Sequence, residues 1–573
     1  MVAELFVAVL VNYSCSLFLI PCSLFLVPCS PAPCSLFLVP YIVAMKSFLV
    51  LMFLPFTLLA QQQNPIAIGC DILIRNGKII DGSGNSWYYG DIAVKDGKII
   101  ATGRQLNFIA QKKIDASGLI VAPGFIDVHT HLEGDETKDP DATNFILDGV
   151  TTCITGNCGA SNTDIGKYFY FIDSLKLSIN VASLVGHNDV RKQVMGRANR
   201  DVTTDEMQKM KNIVDKAMRD GAVGLSTGLI YIPGTYTKTP EIVELAKVVA
   251  KYNGVYTTHM RDEGDSVVYA INEALTIGRE AKIPVEISHF KLSGQQNWGR
   301  SKETVPMIMA ARKEGIEVTI DQYPYTASST SISTLIPDEI LADGQDSINA
   351  RLDDPATRKY VIHSMLERLK KRKLKHFSYA VVAYYQFDTT FNGKSIEQIN
   401  LMKGNKHKKE KEAETIIDII KHGGASAVFH GMSEEDIERI MQYPFNMFAS
   451  DATIRVLGAG VPHPRGYGTN ARVLAEYVRE QHIISLEEAI RRMTSLPAQK
   501  FQLHDRGLLR EGFAADIVIF DENKVQDVST YDHPHAYSRG FQYVIVNGVL
   551  TAENEKHTGA RAGRALYGPG VSK

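Results

Sequence analysis

The sequence predicts an α/β chain built on a (β/α)8 TIM barrel, flanked by a small β-sandwich drawn from both ends and interrupted late by an inserted α/β subdomain. Three observations predict it. Eight short apolar stretches, at 125–129, 151–155, 180–185, 222–226, 254–258, 284–288, 317–321 and 446–450, alternate with helical segments, the rhythm of parallel strands joined by crossover helices. Strand-like runs at 71–77, 91–97, 512–520 and 541–548 bracket that region, and three of them end in an Asn-Gly or Asp-Gly turn signal. The spacing from the seventh strand to the eighth, across 330–430, is far too long for one βα connection.

Taken in order, residues 1–44 do not resemble a folded domain. Cys15-Ser-Leu-Phe-Leu-Ile-Pro21 recurs as Cys22-Ser-Leu-Phe-Leu-Val-Pro28 and as Cys34-Ser-Leu-Phe-Leu-Val-Pro40, a low-complexity tandem repeat. Proline in every unit works against a continuous spanning helix. Then Met45-Lys46 supplies one positive charge, 47–59 is almost wholly apolar, and Ala60 precedes Gln61-Gln62-Gln63, the layout of a signal peptide. The expectation is a translation start at Met45, cleavage near Ala60 and export to the periplasm, with 1–44 an over-extended gene start. Leu58 stands where a small residue is preferred, and the competing reading is a membrane anchor made of the whole stretch. Four of the seven cysteines lie in the repeat, leaving Cys70, Cys153 and Cys158, so no disulfide framework follows.

The mature chain is expected to divide into a first sandwich segment at 66–122, a first barrel segment at 123–330, the insert at 331–429, a second barrel segment at 430–504, and a second sandwich segment with the tail at 505–568. Helix signals punctuate the barrel: the capping box Thr203-x-x-Glu206 leads into 207–220 with Gly221 behind it, and Thr239-Pro240-Glu241 puts proline at the first helical position. Inside the insert a helix is expected over 356–373. Its basic run Lys406-His-Lys-Lys-Glu-Lys411 reads as a solvated face. With a formal net charge of -2 over 573 residues, no basic surface recommends nucleic acid. A small neutral or anionic substrate suits the chain better, with a membrane met only through the signal segment and a monomer or small homo-oligomer as the assembly.

Chemistry gathers at the strand ends. His129 and His131, two apart behind an apolar run, project to one side of a strand. Cys158 follows the second strand, His259 the fifth, His289 the sixth and Asp451 the eighth. Each has a bland reading alone: a small buried hydrophobe for Cys158, a satisfied core histidine for His259, a helix cap for Asp451. Together at the C-terminal mouth of a barrel they form a candidate metal site.

The order His-x-His, His, His, Asp resembles the amidohydrolase superfamily, as does Ala515-Asp516-Ile-Val-Ile-Phe520 in the terminal segment. More closely, Gly156-Asn157-Cys158-Gly159, Ser288-His289-Phe290-Lys291, Tyr323-Pro324-Tyr325-Thr-Ala-Ser-Ser-Thr330 and His463-Pro464-Arg465-Gly466-Tyr467-Gly468 are similar to motifs of the N-acyl-D-amino-acid deacylase (D-aminoacylase) family. The likeness runs from about Cys70 to Gly568. It implies a zinc hydrolase that splits N-acyl-D-amino acids into a carboxylate and a free D-amino acid. In hydantoinase-like relatives a carboxylated lysine on the fourth strand bridges two metals, whereas Ala222-Val-Gly-Leu-Ser-Thr-Gly228 contains no lysine. A thiolate supplies a negative, soft ligand instead. The resemblance assigns that role to Cys158, with Cys153 as the competing candidate.

By the same resemblance Cys158, His259 and His289 form the tight Zn2+ site, and His129, His131 and Asp451 line a weaker second one. Zinc polarises an amide carbonyl and acidifies water, and Asp451 serves as general base and then general acid. Ala452 departs from the family pattern, which has glycine after this aspartate. The substrate carboxylate falls to Arg465, whose planar guanidinium suits bidentate contact, together with Lys291 and Tyr323 by family position. His187 and His430 read as supporting or structural. The competing functions are a cyclic-amide hydrolase of hydantoinase or dihydroorotase type, a hydrolase of D-residue-containing dipeptides, and a barrel that has lost catalysis and serves as a scaffold.

Overall fold

The structure, a computed structural model, describes residues 68–571. The tandem repeat, the start at Met45 and the signal segment lie outside these residues. Among the described residues no helix is long and apolar enough to cross a membrane.

The two terminal β segments pair into one nine-stranded sheet. Ile68–Ile79 runs antiparallel to Tyr88–Lys95 and parallel to both Phe108–Asp115 and Ile120–Pro123. Ile517–Phe520 then returns across more than three hundred residues to lie antiparallel against Ile120–Pro123, with Ile519 opposite Val121. Side-chain alternation explains the pairing. Ile72, Ile74, Val94, Val121, Ile517 and Ile519 share one apolar cluster, while Leu73 and Ala93, one residue out of phase, join another.

Every one of the eight anticipated strand positions is occupied by a parallel strand. Phe125–Asp127, Val150–Thr155 and Asn180–Ser183 form one sheet, and Val185–Gly186, Gly224–Gly228, Val255–His259, Val285–Ile287, Val318–Gln322 and Asn446–Phe448 form a second in that order. Only Leu184 separates the end of the first sheet from the start of the second. At the other edge a parallel bridge joins Thr130 to Ala452. Strands Val150–Thr155 and Val255–His259 are buried at every residue, as strands covered on both faces must be. The fourth strand begins at Gly224 rather than 222, because the Ala222 N–H still closes the preceding helix by donating to the Ala217 carbonyl at 3.0 Å.

The long interval before the last strand has a sheet and a core of its own. Ala327–Ser331, Ser426–His430 and Ala380–Tyr384 pair antiparallel, with Ser426–His430 in the middle. Ile332, Val361, Met365, Phe377, Ile416 and Ile420 pack together there. That sheet starts four residues before the expected boundary at 331, since Ala327 already faces His430. The helix anticipated at 356–373 runs Pro355–Lys371, capped by the Asp354 carboxylate, which accepts the Thr357 N–H at 2.8 Å. A further helix, Gln345–Asp353, lies just before it.

Gly156, at the end of the second strand, has φ +78°, and a Cβ built there meets the Leu184 carbonyl oxygen at 2.3 Å. Both strain and clash therefore oppose any side chain. Gly156→Ala should cost about 2 kcal/mol or more of stability, seen as a lower denaturant midpoint with unchanged slope. An unaltered midpoint would contradict this role for the glycine.

Candidate metal centre

Three of the candidate ligands follow their strands through sharp left-handed turns. Cys158 has φ 54°, His289 φ 36° and Asp451 φ 49°, a region that non-glycine residues rarely occupy. These turns redirect side chains that would otherwise continue along the strands. His259 is the last residue of its strand, and the His129 carbonyl accepts the Asp451 N–H at 2.9 Å, tying the first and eighth strand ends together.

The loop carrying Cys158 is gripped by the fourth strand. The Ser226 hydroxyl donates to the Gly156 carbonyl and accepts the Gly159 N–H at 3.0 Å. A Cβ on Gly228 would lie 2.1 Å from the Cys158 carbonyl oxygen. The strand that lacks a lysine thus supports the loop that presents the thiol. Cys153 is fully buried inside its own strand, in the main apolar core.

The thiol faces three imidazoles. Cys158 Sγ lies 3.3 Å from His129 Nε2, 3.6 Å from His259 Nδ1 and 3.6 Å from His289 Nε2. The nearest nitrogen is that of His129, not of the two histidines grouped with Cys158 by resemblance. His129 also sits 3.9 Å from Asp451 Oδ1, and His131 Nε2 approaches the same oxygen to 3.2 Å. All six anticipated ligands therefore meet at one place, with His129 between the thiol and the carboxylate.

Sequence reasoning missed the acids behind these rings. Asp321 Oδ2 lies 3.4 Å from His129 Nδ1, and its Oδ1 accepts the His289 N–H at 2.8 Å. Glu263 Oε1 lies 3.0 Å from His289 Nδ1, 3.8 Å from His259 Nε2 and 2.6 Å from Lys291 Nζ. Asp127 accepts the His129 N–H at 3.2 Å and the Ser450 N–H at 3.1 Å. Carboxylates on the far nitrogen of a ligating histidine fix its tautomer and raise its basicity. Asp127 ends its strand and Asp321 is the last but one of its own, a signal available in sequence; Glu263 stands in a loop with no local mark.

Electrostatics match these contacts. Burial, with the nearby Asp451 charge, pushes the Cys158 thiol well above its ordinary range. Burial also pushes the His259 and His289 imidazoles well below theirs. Asp451 is opposed by burial, yet the Arg465 guanidinium and the His131 ring hold its carboxyl well below the usual carboxylate value. Arg465 Nη1 stands 2.9 Å from Asp451 Oδ2. Lys291 is almost fully buried and donates to Glu263 at 2.6 Å and to the His289 carbonyl at 2.9 Å, with its Nζ 2.7 Å from His289 Nδ1. A buried ammonium needs such partners, so the residue anticipated as a substrate contact is first a neighbour of the metal ligands. Burial drives the Tyr323 phenol up to about 12, and its hydroxyl has no partner within the protein. Arg465 stacks over the Tyr323 ring at 4.5 Å.

This donor set fits a zinc-like ion. His259 Nδ1 and His289 Nε2 both face the Cys158 sulfur, and a soft thiol beside borderline imidazoles is what such an ion takes. Two cavities open on the cluster. One of about 430 Å³ is lined by His131, Cys158, Asp451, Arg455 and Arg465, and one of about 410 Å³ by His259, Glu263, His289, Lys291 and Tyr323. Asp451 and Tyr231 line both. His187 is placed away from this cluster, its Nε2 3.0 Å from Glu241, and His430 ends a strand of the three-stranded sheet.

Comparison with known proteins places this geometry among relatives. Residues 112–552 match the model of the amidohydrolase family. The chain is similar to a D-aminoacylase of Alcaligenes xylosoxydans xylosoxydans, 33% identical over 87% of this chain and 97% of that one. An N-acyl-D-aspartate deacylase of the same organism is 34% identical over 87% and 95%. The crystal structure of an N-acyl-D-glutamate deacylase from Bordetella bronchiseptica, complexed with zinc and a phosphonate mimic of the tetrahedral intermediate, superposes with a TM-score of 0.73. It is 33% identical and covers 87% of this chain and all of that one.

With the thiol raised and the His259 and His289 rings lowered, the metal-free site at neutral pH holds one ligand proton on sulfur, and a metal can bind only as that proton leaves. Titrating zinc into chelator-treated protein at pH 7 should release about one proton for each ion taken up at this centre, read from calorimetry in buffers of differing ionisation enthalpy. Cys158→Ser should abolish the release. Equal release from both proteins would contradict a thiol ligand.

Proposed function

The chain belongs to the amidohydrolase family, and on that premise we propose that it hydrolyses N-acyl-D-amino acids to a carboxylate and a free D-amino acid with zinc at the Cys158 centre. The observation that carries this is the cluster itself: one thiol, four imidazoles and one carboxylate between two cavities large enough for the two halves of an acylated amino acid. Cys158, His259 and His289 are assigned the tight ion. His129, His131 and Asp451 bound a weaker second position, with His129 facing both. The eight parallel strands are read as one closed barrel, because the two sheets adjoin at Leu184 and bridge at Thr130–Ala452. The antiparallel module at 327–430 is then an insert at its mouth. Export through the segment beginning at Met45 completes the reading.

When bound, zinc polarises the substrate carbonyl and lowers the pKa of water. The protein supplies the proton path. Asp451, kept ionised by Arg465 and His131, is placed to accept a proton from the attacking water and to return it to the leaving amine. Glu263 and Asp321 hold the rings of His289 and His129 in one tautomer. Once His289 Nδ1–H donates to Glu263, the Lys291 ammonium retains one uncommitted proton. With the free Tyr323 hydroxyl and Arg465 it forms a receptor for the carboxylate of the substrate. Burial of these groups excludes water and strengthens each contact. The methyl of Ala452 is packed 3.4 Å from where a Gly466 Cβ would stand, on the wall of the cavity that Cys158, Asp451 and Arg465 also line.

A cyclic-amide hydrolase is disfavoured by the fourth strand, Gly-Leu-Ser-Thr-Gly, whose Ser226 is occupied with the Cys158 loop. Amine release from N-acetyl-D-amino acids, acidic and apolar, set against their L enantiomers should show turnover of the D forms alone. Comparable turnover of the L forms would overturn the assignment. Asp451→Asn should lower kcat by a factor on the order of 10²–10⁴ while zinc content stays at the wild-type level; near-normal kcat would remove Asp451 from the role of base.

A further inference from the structure

A second cluster of metal-ligating side chains stands in the inserted module, apart from the centre described above. His376 precedes the strand Ala380–Tyr384, Glu397 lies in the helix Ile396–Met402, His407 follows that helix, and Glu412 lies in the first turns of the helix Lys409–Lys421. One donor atom from each lies within 4.8 Å of one from every other. His376 Nδ1 is 2.6 Å from Glu412 Oε1 and 3.7 Å from Glu397 Oε1, and His407 Nε2 is 2.6 Å from the same Glu397 oxygen.

From these contacts we infer that His376, Glu397, His407 and Glu412 form a structural site for a divalent ion of the zinc class. Two neutral imidazoles and two carboxylates offer four N/O donors, the number a closed structural zinc site uses. The two carboxylates balance the charge of the dication, which matters beside Lys375, Lys408 and Lys409. Tetrahedral donors about 2.0–2.2 Å from zinc stand roughly 3.3 Å apart, so the two 2.6 Å contacts need to open, and the 3.7 Å contact to close, by less than an ångström. Two further features prepare the site. Glu412 is fully buried, and its second oxygen already accepts the Phe377 N–H at 2.8 Å, the outer contact that aims the first oxygen. The two imidazoles stack with centroids 4.2 Å apart and planes 21° from parallel, which presents their nitrogens to the carboxylates together.

An ion here clamps the segments that carry the four side chains. It lies three residues from Tyr379, which lines the cavity holding His259 and His289, so it would also steady one wall of that cavity.

The test uses the full chain and zinc alone. Protein equilibrated with zinc and freed of excess is analysed for metal in wild type, His407→Ala and Glu397→Gln. The His407 side chain is 51% exposed, so its truncation leaves the core intact; Glu397→Gln is a nearly isosteric second variant. Each variant should hold about one zinc fewer per chain than wild type, and zinc should slow amide exchange across 396–412 in wild type alone. The catalytic centre is untouched in both, so any ions bound there cancel in the comparison. Equal zinc content in all three proteins, or zinc-independent exchange across 396–412, would overturn the site and leave only histidine–carboxylate hydrogen bonds.

Discussion

The confinement of one thiol against three imidazoles is the constraint on which the site is built. Cys158 Sγ has three ring nitrogens within 3.6 Å and is itself buried. Such packing is unfavourable unless charge alternates outward from it. It does so here. Asp321 stands behind His129, Glu263 behind His289, Lys291 against Glu263, and Arg465 against Asp451. Each of these groups is buried and therefore depends on its neighbour, so the network behaves as a unit and the loss of one member leaves a charge exposed to low dielectric.

The backbone adapts to the same requirement. Parallel strands deliver their last residues to one end of the sheet, but a strand alone points alternate side chains away from that end. The left-handed conformations of Cys158, His289 and Asp451 bring the three inward, and the surrounding structure supports them: Ser226 on the Gly156–Gly159 loop, Asp321 on the His289 N–H, and the His129 carbonyl on the Asp451 N–H. The fourth strand contributes no ligand and instead holds the ligand-bearing loop from beneath, which makes Gly228 as constrained as the cysteine it underlies.

Much of this was legible in the sequence. Eight apolar stretches, the first seven at similar intervals, marked the parallel strands because their buried faces tolerate few polar residues, and the terminal segments announced their pairing by alternation and turn signals. The six candidate ligands could be read from their positions at or just past the ends of those strands. What escaped was whatever depends on contacts between distant segments. Glu263 lies in an ordinary loop, and only the fold sets it against His289 and Lys291. Lys291 reads in sequence as a substrate contact, because its partner Glu263 could not be placed. In the insert, the run around His407 reads as a solvated basic face, and most of it is one. The imidazole meets Glu397 and His376 only after two helices fold back on each other, and no spacing in the chain signals that meeting.

The central claim is that sulfur from Cys158 is a ligand of the bound ion. X-ray absorption at the zinc edge reads this directly in protein loaded with one zinc at the catalytic centre, using the His407→Ala chain so that no other ion contributes. One sulfur scatterer at about 2.3 Å, with nitrogen or oxygen completing the shell at about 2.0–2.2 Å, is the result the structure predicts. A shell of nitrogen and oxygen alone would contradict it.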